Sequence, residues 1–450
     1  LKTNSDEMHN QEMLLKKIRQ SSEVFDKLAN SYEVWVPESG WLAGRRNRDK
    51  NDSKRKNLTD WSILSFLLEI DNCHYPMADS YLQYGIDGVI RIAAETLETL
   101  KNNLQSELQD QTQLDIAYLE SLLHVWKRFR QFVADHMVLA LECAKQETSD
   151  TKKKRYEKIA KICQNLTINK PNTFCEALQL FWFTYLFRSP FGAGCIGRLD
   201  QLLYPFYKHD CEMGIWDQQE AEKMLEEMFT RMNEINTGDT LRNLMLSGQD
   251  AKGNDQTNEI TYLILVAYEN TGGSEPHLNV RFHEKTPKKL RDNCINMLSS
   301  GSGQPTIYFD EAVLPAMEKA GICHEDACQY ANDGCTETVI AGKSAIVFWQ
   351  YEMVKTVELT LFGGNENPCV KPVSMKKNSI HGADFVPKTN LLIGIESKKP
   401  QELTTFSEFL SAFFEQMDHQ LDHYFLMIKQ KMQEDQTVSI TSPFTAGTFE

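Results

Sequence analysis

The strongest constraint on the fold lies between residues 276 and 335, where short extended patterns alternate with helical ones. Leu278, Val280 and Phe282 alternate with Asn279 and Arg281, a period of two that places successive side chains on opposite faces of a strand. The turn Ser299-Ser300-Gly301-Ser302-Gly303 leads into a second short strand, Pro305 to Phe309, and helical segments follow. Strands joined through helices pair in parallel, because the chain must cross over to run the same way again. The expected class is α/β. No Lys-Ser/Thr follows the Gly-Ser turn, so it is not a phosphate-binding loop.

The first half of the chain reads as mostly helical. Thr173-Phe174-Cys175-Glu176 is a capping box that opens an apolar helix through Ala177, Leu180, Phe181 and Tyr185. A helix apolar nearly all round must be buried. Asp217 to Glu220 opens another, with Ala221, Met224, Met228, Met232 and Ile235 on one face; that stripe reads as core packing. After the 335 region, a helix from about Trp349 to Leu361 should stop at Gly363-Gly364. Residues 374–399 look irregular, and Thr405-x-x-Glu408 should cap a long amphipathic helix reaching about Met432. The expected division is a mostly helical region over 1–170 and an α/β region over 171–450.

Composition removes several function classes. A net charge of −15 disfavours nucleic acid as partner, since phosphate binding needs clustered cations. The single basic run, Gly44 to Lys56, reads as a solvated loop. No apolar run approaches the ~20 residues that span a bilayer, and the polar start shows no signal peptide. A cytoplasmic protein without a membrane partner is expected. Eleven scattered cysteines should be reduced. Cys323, His324, Cys328 and Cys335 lack paired Cys-x-x-Cys knuckles, so no metal site is expected.

Gly334-Cys335-Thr336-Glu337 carries the functional signal. In an extended loop, residues two apart point to the same side, so Cys335 and Glu337 can share a cavity while Thr336 turns away. Upstream stand Gln304-Pro305-Thr306-Ile307-Tyr308, Asp310-Glu311, Gly321, Asp326-Ala327 and Tyr330-Ala331; downstream stands Gly342-Lys343. Further segments are Pro171-Asn172-Thr173-Phe174, Gly197-Arg198-Leu199-Asp200-Gln201, and Pro276 with Leu278 to Arg281. Together they resemble glycyl radical enzymes, the superfamily of pyruvate formate-lyase and the radical diol dehydratases.

That resemblance implies a ten-stranded α/β barrel of two parallel halves with the cysteine loop inside, of which this chain holds the first part. It implies a thiyl radical on Cys335 and Glu337 as general base, for elimination from a small hydroxylated substrate. The substrate-binding residues are not assigned. No bound cofactor or metal is expected. The superfamily's Arg-Val-x-Gly motif is absent from the 450 residues. The chain ends abruptly, so a fragment or one piece of a split enzyme, inactive alone, is expected. The radical would sit on a glycine elsewhere, installed by a separate radical S-adenosylmethionine activase, and the complete protein would be a homodimer. Gly334 stands where pyruvate formate-lyase has a second cysteine, which disfavours acyl transfer. Phe191 to Gly194 lacks the histidine of glycerol-type dehydratases. An arylacetate-type radical decarboxylase and a catalytically silent scaffold are the alternatives.

Overall fold

The computed structural model describes residues 4–45, 80–102, 109–188, 194–234, 242–333, 337–341, 343–344, 353–365, 394–398 and 400–435. Two compact units divide the chain, one made of residues 1–346 with 440–450 and the other of residues 347–439.

The first unit begins with helices α1 (Asn4–Ser31), α2 (Ser80–Asn102), α3 (Gln109–Gln146) and α4 (Asp150–Ile168). The long α3 is their common partner. Its buried Leu119, Leu122, Trp126, Phe129 and Val133 recur every three or four residues, which makes one continuous apolar face. Helix α5 (Phe174–Arg188) is opened by the expected capping box. The Glu176 amide donates to Thr173 Oγ1 at 3.2 Å and the Thr173 amide to Glu176 Oε2 at 3.2 Å. From Phe174 to Phe187 the apolar side chains of α5 are buried, as an all-round apolar helix requires. Its Gln179 exchanges two hydrogen bonds with the Ala43 backbone, at 2.7 and 3.0 Å. Its Trp182 donates to the Gly44 carbonyl at 2.9 Å. Both side chains thus satisfy backbone groups of an extended segment whose own pairing is a single bridge, Arg45 with Glu33.

Next comes a β/α series: β1 (Gly194–Gly197), α6 (Leu199–Met213), α7 (Gln218–Glu234), β2 (Arg242–Ser247), α8 (Glu259–Thr271), β3 (His277–Phe282), α9 (Lys288–Ser299), β4 (Thr306–Phe309) and α10 (Asp310–Lys319). The four strands pair in parallel in sequential order β1-β2-β3-β4. Sequential order with crossovers of one hand sends every connecting helix to the same face, which is the construction of a barrel wall. Ile196, Leu244, Leu246, Leu278 and Val280 pack with the helices, whereas Cys195 and Met245 belong to a second cluster on the other face. Met224, Met228 and Met232 of α7 are fully buried in the helical layer; Ile235 lies outside the described residues.

Asn279 and Arg281 differ from a solvent-facing alternation, being 1% and 0% exposed. A parallel sheet is covered on both faces, so the polar half of that alternation faces the barrel interior. There Asn279 Nδ2 donates to Asn243 Oδ1 at 2.9 Å, and His277 Nε2 meets Thr306 Oγ1 at 3.1 Å. After α10 come the single turn α11 (His324–Ala327) and an antiparallel hairpin, β5 (Ala331–Asp333) and β6 (Glu337–Val339). Strand β5 packs against β1 and β2, on the interior side of the wall.

In the second unit, α12 (Met353–Leu361) packs on α13 (Phe406–Asp435), with Thr356 donating to Gln420 Oε1 at 2.9 Å. Gly363 and Gly364, both at positive φ, end α12 as expected; residues 349–352 of that expected helix lie outside the description. Glu408 accepts from the Thr404 and Thr405 amides at 2.9 and 3.1 Å, and its amide donates to Thr405 Oγ1 at 3.2 Å. The anticipated cap is therefore present. Of the irregular stretch over 374–399, only 394–398 is described, and it is without regular structure.

Candidate active site

The β5–β6 hairpin is built from little: three residues on each side, with Ala331 opposite Val339, Asn332 opposite Thr338 and Asp333 opposite Glu337. Residues directly opposite in an antiparallel pair project to the same face, so Asp333 and Glu337 share the face of Ala331 and Val339. Ala331 and Val339 pack with Cys195, Met245 and Tyr330. Asp333 is fully buried and Glu337 half-buried. Residues 334–336 join the two strands, and Cys335, the expected radical carrier, therefore lies outside the described residues.

Below the hairpin is a dense buried polar network to which the end of every parallel strand contributes. Arg198 and Asp200 follow β1, Ser247 closes β2, Arg281 lies in β3 and Asp310 follows β4. Arg281 forms a fork with Asp310, its Nε donating to Oδ1 and Nη2 to Oδ2, both at 2.8 Å, with neither side chain exposed. Its remaining nitrogen, Nη1, donates to the carbonyls of Cys328 at 2.9 Å and Tyr330 at 3.3 Å. The guanidinium also lies 4.0 Å from the centre of the Tyr330 ring, whose hydroxyl donates to Asp310 Oδ1 at 3.0 Å. Arg198 meets the same stretch from the other side. Its Nη1 donates to the Cys328 carbonyl at 3.2 Å and to Gln329 Oε1 at 3.0 Å, and its Nη2 donates to the Ser247 carbonyl at 3.0 Å.

Asp200 completes the frame. It accepts from the Ser247 amide, the Thr261 hydroxyl and the Gln201 amide, each at 2.8 Å. Burial still raises its pKa, outweighing the opposing pull of Arg198 and of those hydrogen bonds. Arg198 is lowered to about 10 by burial and then by the neighbouring Arg281, and so stays charged near neutrality. Burial likewise pushes the Tyr330 hydroxyl and the Cys328 thiol upward. Two cations and two carboxylates thus stand together, which is how charge survives in an interior. Ser247 sits at φ 61, a left-handed conformation unfavourable for a residue with a Cβ. It is held there by Asp200 on its amide and Arg198 on its carbonyl.

Sequence reasoning singled out Cys335 and Glu337, of which only Glu337 is placed by the described residues. It passed over Arg198, Asp200, Arg281, Asp310 and Tyr330 as working parts, although every one stands in a segment that carried the resemblance. Among the described residues, no group of three or more His, Cys, Asp or Glu side chains could hold a metal ion. Cys328 and His324 do approach to 3.6 Å. No helix among them is long and apolar enough to cross a membrane.

The pyruvate formate lyase-like family matches residues 72–437. The chain belongs to this family, and its fold is a helical N-terminal region with part of the α/β barrel of the glycyl radical enzymes. Trans-4-hydroxy-L-proline dehydratase of Clostridioides difficile is 31% identical over 301 residues, covering 63% of this chain and 36% of that protein. The glycyl radical subunit of 4-hydroxyphenylacetate decarboxylase from the same species is 26% identical over 290 residues, covering 60% of this chain and 31% of that one. The glycerol-bound form of the B12-independent glycerol dehydratase from Clostridium butyricum superposes with a TM-score of 0.74 at 20% identity. That match covers 96% of this chain and 61% of that one, and it shows the fold alone. The chain spans about a third of the length of the first curated relatives it matches.

Proposed function

We propose that this chain carries the cysteine-loop part of a glycyl radical lyase or dehydratase acting on a small hydroxylated molecule. Cys335 is the hydrogen-atom-abstracting group and Glu337 the proton acceptor. The observation that carries the reading is the pairing of Asp333 with Glu337 at the inner face of the parallel wall. Covalent geometry keeps the Cα of Cys335 within about 7.6 Å of that of Glu337, so the two groups belong to one locality.

A glycine-centred radical, supplied by a part of the protein outside these 450 residues, would take the hydrogen atom of the Cys335 thiol. Every later step uses this chain. The Cys335 sulfur takes a hydrogen atom from a substrate C–H, forming S–H and leaving a carbon radical. Glu337 accepts the proton of the hydroxyl on that carbon, giving a ketyl radical. The electron-rich ketyl expels the group on the neighbouring carbon with its bonding pair. The product radical then retrieves the hydrogen atom from Cys335, so the cycle is redox-neutral. An interior that excludes water protects such intermediates. A radical S-adenosylmethionine activase, a homodimeric complete protein and an inactive isolated chain belong to the same proposal, as does the division near residue 170.

Radical decarboxylation is the second reading, supported by the decarboxylase relative. The test uses the complete protein, activated anaerobically and supplied with trans-4-hydroxy-L-proline, glycerol or 4-hydroxyphenylacetate within a wider metabolite panel. Loss of water or another leaving group supports elimination, and release of carbon dioxide supports decarboxylation. Cys335→Ser should keep the carbon-radical spin-resonance signal and abolish turnover. Glu337→Gln should keep the signal and slow turnover roughly 100-fold or more. Turnover surviving in Cys335→Ser refutes the assignment, and a complete protein that never acquires the signal is a silent scaffold.

A further inference from the structure

We propose that Arg198 and Arg281 form a two-sided clamp on residues 328–330, through the Cys328 and Tyr330 carbonyls and the Gln329 side chain, that fixes where the β5–β6 hairpin sits. They are positioning residues for Glu337. The functional part rests on the reading above; the mechanical part does not.

The clamp follows from how poorly the hairpin could hold itself. Six paired residues and a small apolar footing of Ala331, Val339 and Ile340 are less than a hairpin needs to be stable alone. Its root is held instead by fixed cations. The Cys328 carbonyl accepts from both arginines, at 2.9 and 3.2 Å, the Tyr330 carbonyl accepts from Arg281 at 3.3 Å, and Gln329 accepts from Arg198 at 3.0 Å. A planar guanidinium held by a fork has no rotational freedom left, so its remaining donor reports a fixed direction. Arg281 is locked by Asp310, which itself accepts from the Gln249 amide at 3.1 Å. Arg198 is locked between the Ser247 carbonyl and the hairpin root. One face of the root is thereby referenced to β1 and β2, the other to β3 and β4.

Stability alone does not call for this arrangement. A well-packed apolar cluster of similar volume serves a core as well as buried ions do. What buried ions and forked hydrogen bonds add is a single permitted geometry, which suits a site whose reacting atoms must meet within a few tenths of an ångström.

The clamp is tested on the chain itself by amide hydrogen exchange with peptide-resolved mass spectrometry. Arg281→Lys keeps the charge and removes the fork on Asp310, and Arg198→Lys keeps the charge and removes the paired Nη1 and Nη2 contacts. Amides of 331–333 and 337–340 should exchange roughly tenfold faster or more, while those of α3 keep their protection. A hairpin exchanging as in the parent overturns the clamp. Equal acceleration in the hairpin and α3 also overturns it, because the arginines would then serve the whole fold. Should either lysine variant fail to fold, Tyr330→Phe decides. It removes only the bond to Asp310 and keeps the ring under Arg281. A hairpin-confined acceleration of about threefold or more supports the clamp, and none overturns it. Exchange requires no turnover, so a loosened hairpin beside a still-active Cys335→Ser enzyme would uphold the clamp and sink the proposed function.

Discussion

Lowering the pH from 7 to 5 should weaken the helical region through one buried group, His136 on α3. The side chain is fully buried, edge-on to Phe132 at 4.5 Å and tilted against Phe183 at 4.9 Å. Its Nδ1 is 2.8 Å from the Phe132 carbonyl, and its Nε2 has no hydrogen-bond partner among the described residues. Burial lowers its pKa from 6.5 to about 4, against weaker upward contributions from the Phe132 carbonyl and Asp135. Between these values the unfolded chain binds a proton that the folded chain refuses, so stability rises with pH across that window. In the other direction, stability is lost as pH falls from about 6.5 towards about 4. At pH 5 most of the imbalance is in force, and the loss relative to pH 7 is about 2 kcal/mol. His136→Phe removes the titrating group and retains an aromatic ring. Urea unfolding at both pH values, on parent and variant, isolates the term, because the other carboxylates and histidines are common to both. The parent should lose about 2 kcal/mol more than the variant between pH 7 and 5. Equal losses, or a His136 ring titrating near 6.5 by NMR, would refute the reasoning.

Two further substitutions probe the frame. Gly248 has φ +97, and a Cβ there would lie 2.5 Å from Arg281 Cζ and Nε; Gly248→Ala should cost at least about 2 kcal/mol in thermal or urea unfolding, with early loss of protection in the hairpin. Glu227 accepts the Trp41 and Leu42 amides at 2.7 and 3.2 Å and pairs with Arg231. Glu227→Gln should therefore cost about 1–2 kcal/mol, and limited proteolysis should find the 40–45 segment opened while β2 and β3 stay protected.

What could be read from the sequence was whatever local chemistry decides. Thr173 with Glu176, Asp217 with Glu220, and Thr405 with Glu408 are three-residue relations, and each forms the cap its spacing predicts. The alternation over 278–282 gives β3 because period two is a property of the backbone. Whether Asn279 and Arg281 met water or the barrel interior was not local information. It depended on β2 and β4 pairing on either side and on a hairpin some 50 residues further along covering the polar face.

The same reasoning explains why the network under the hairpin escaped notice while its members did not. Arg198, Ser247, Arg281, Asp310 and Tyr330 are separated by tens of residues, and no helical or strand period relates them. Arg198, Ser247, Arg281 and Asp310 each occupy the equivalent place in a β/α repeat, at or just beyond the C-terminal end of a parallel strand, and Tyr330 reaches them from the root of the hairpin. Parallel sequential pairing brings such places to one rim, so topology assembles the set. Charge then selects the arrangement. A lone buried arginine would be costly, but Arg281 meets a forked carboxylate and the carbonyls at the hairpin root within one hydrogen-bond length. Those carbonyls belong to residues that a hairpin of three residue pairs cannot hold by itself. The rim therefore supplies the rigidity that so short a hairpin lacks, and Arg198, Arg281 and Asp310, which stand in segments carrying the family resemblance, belong to that rim.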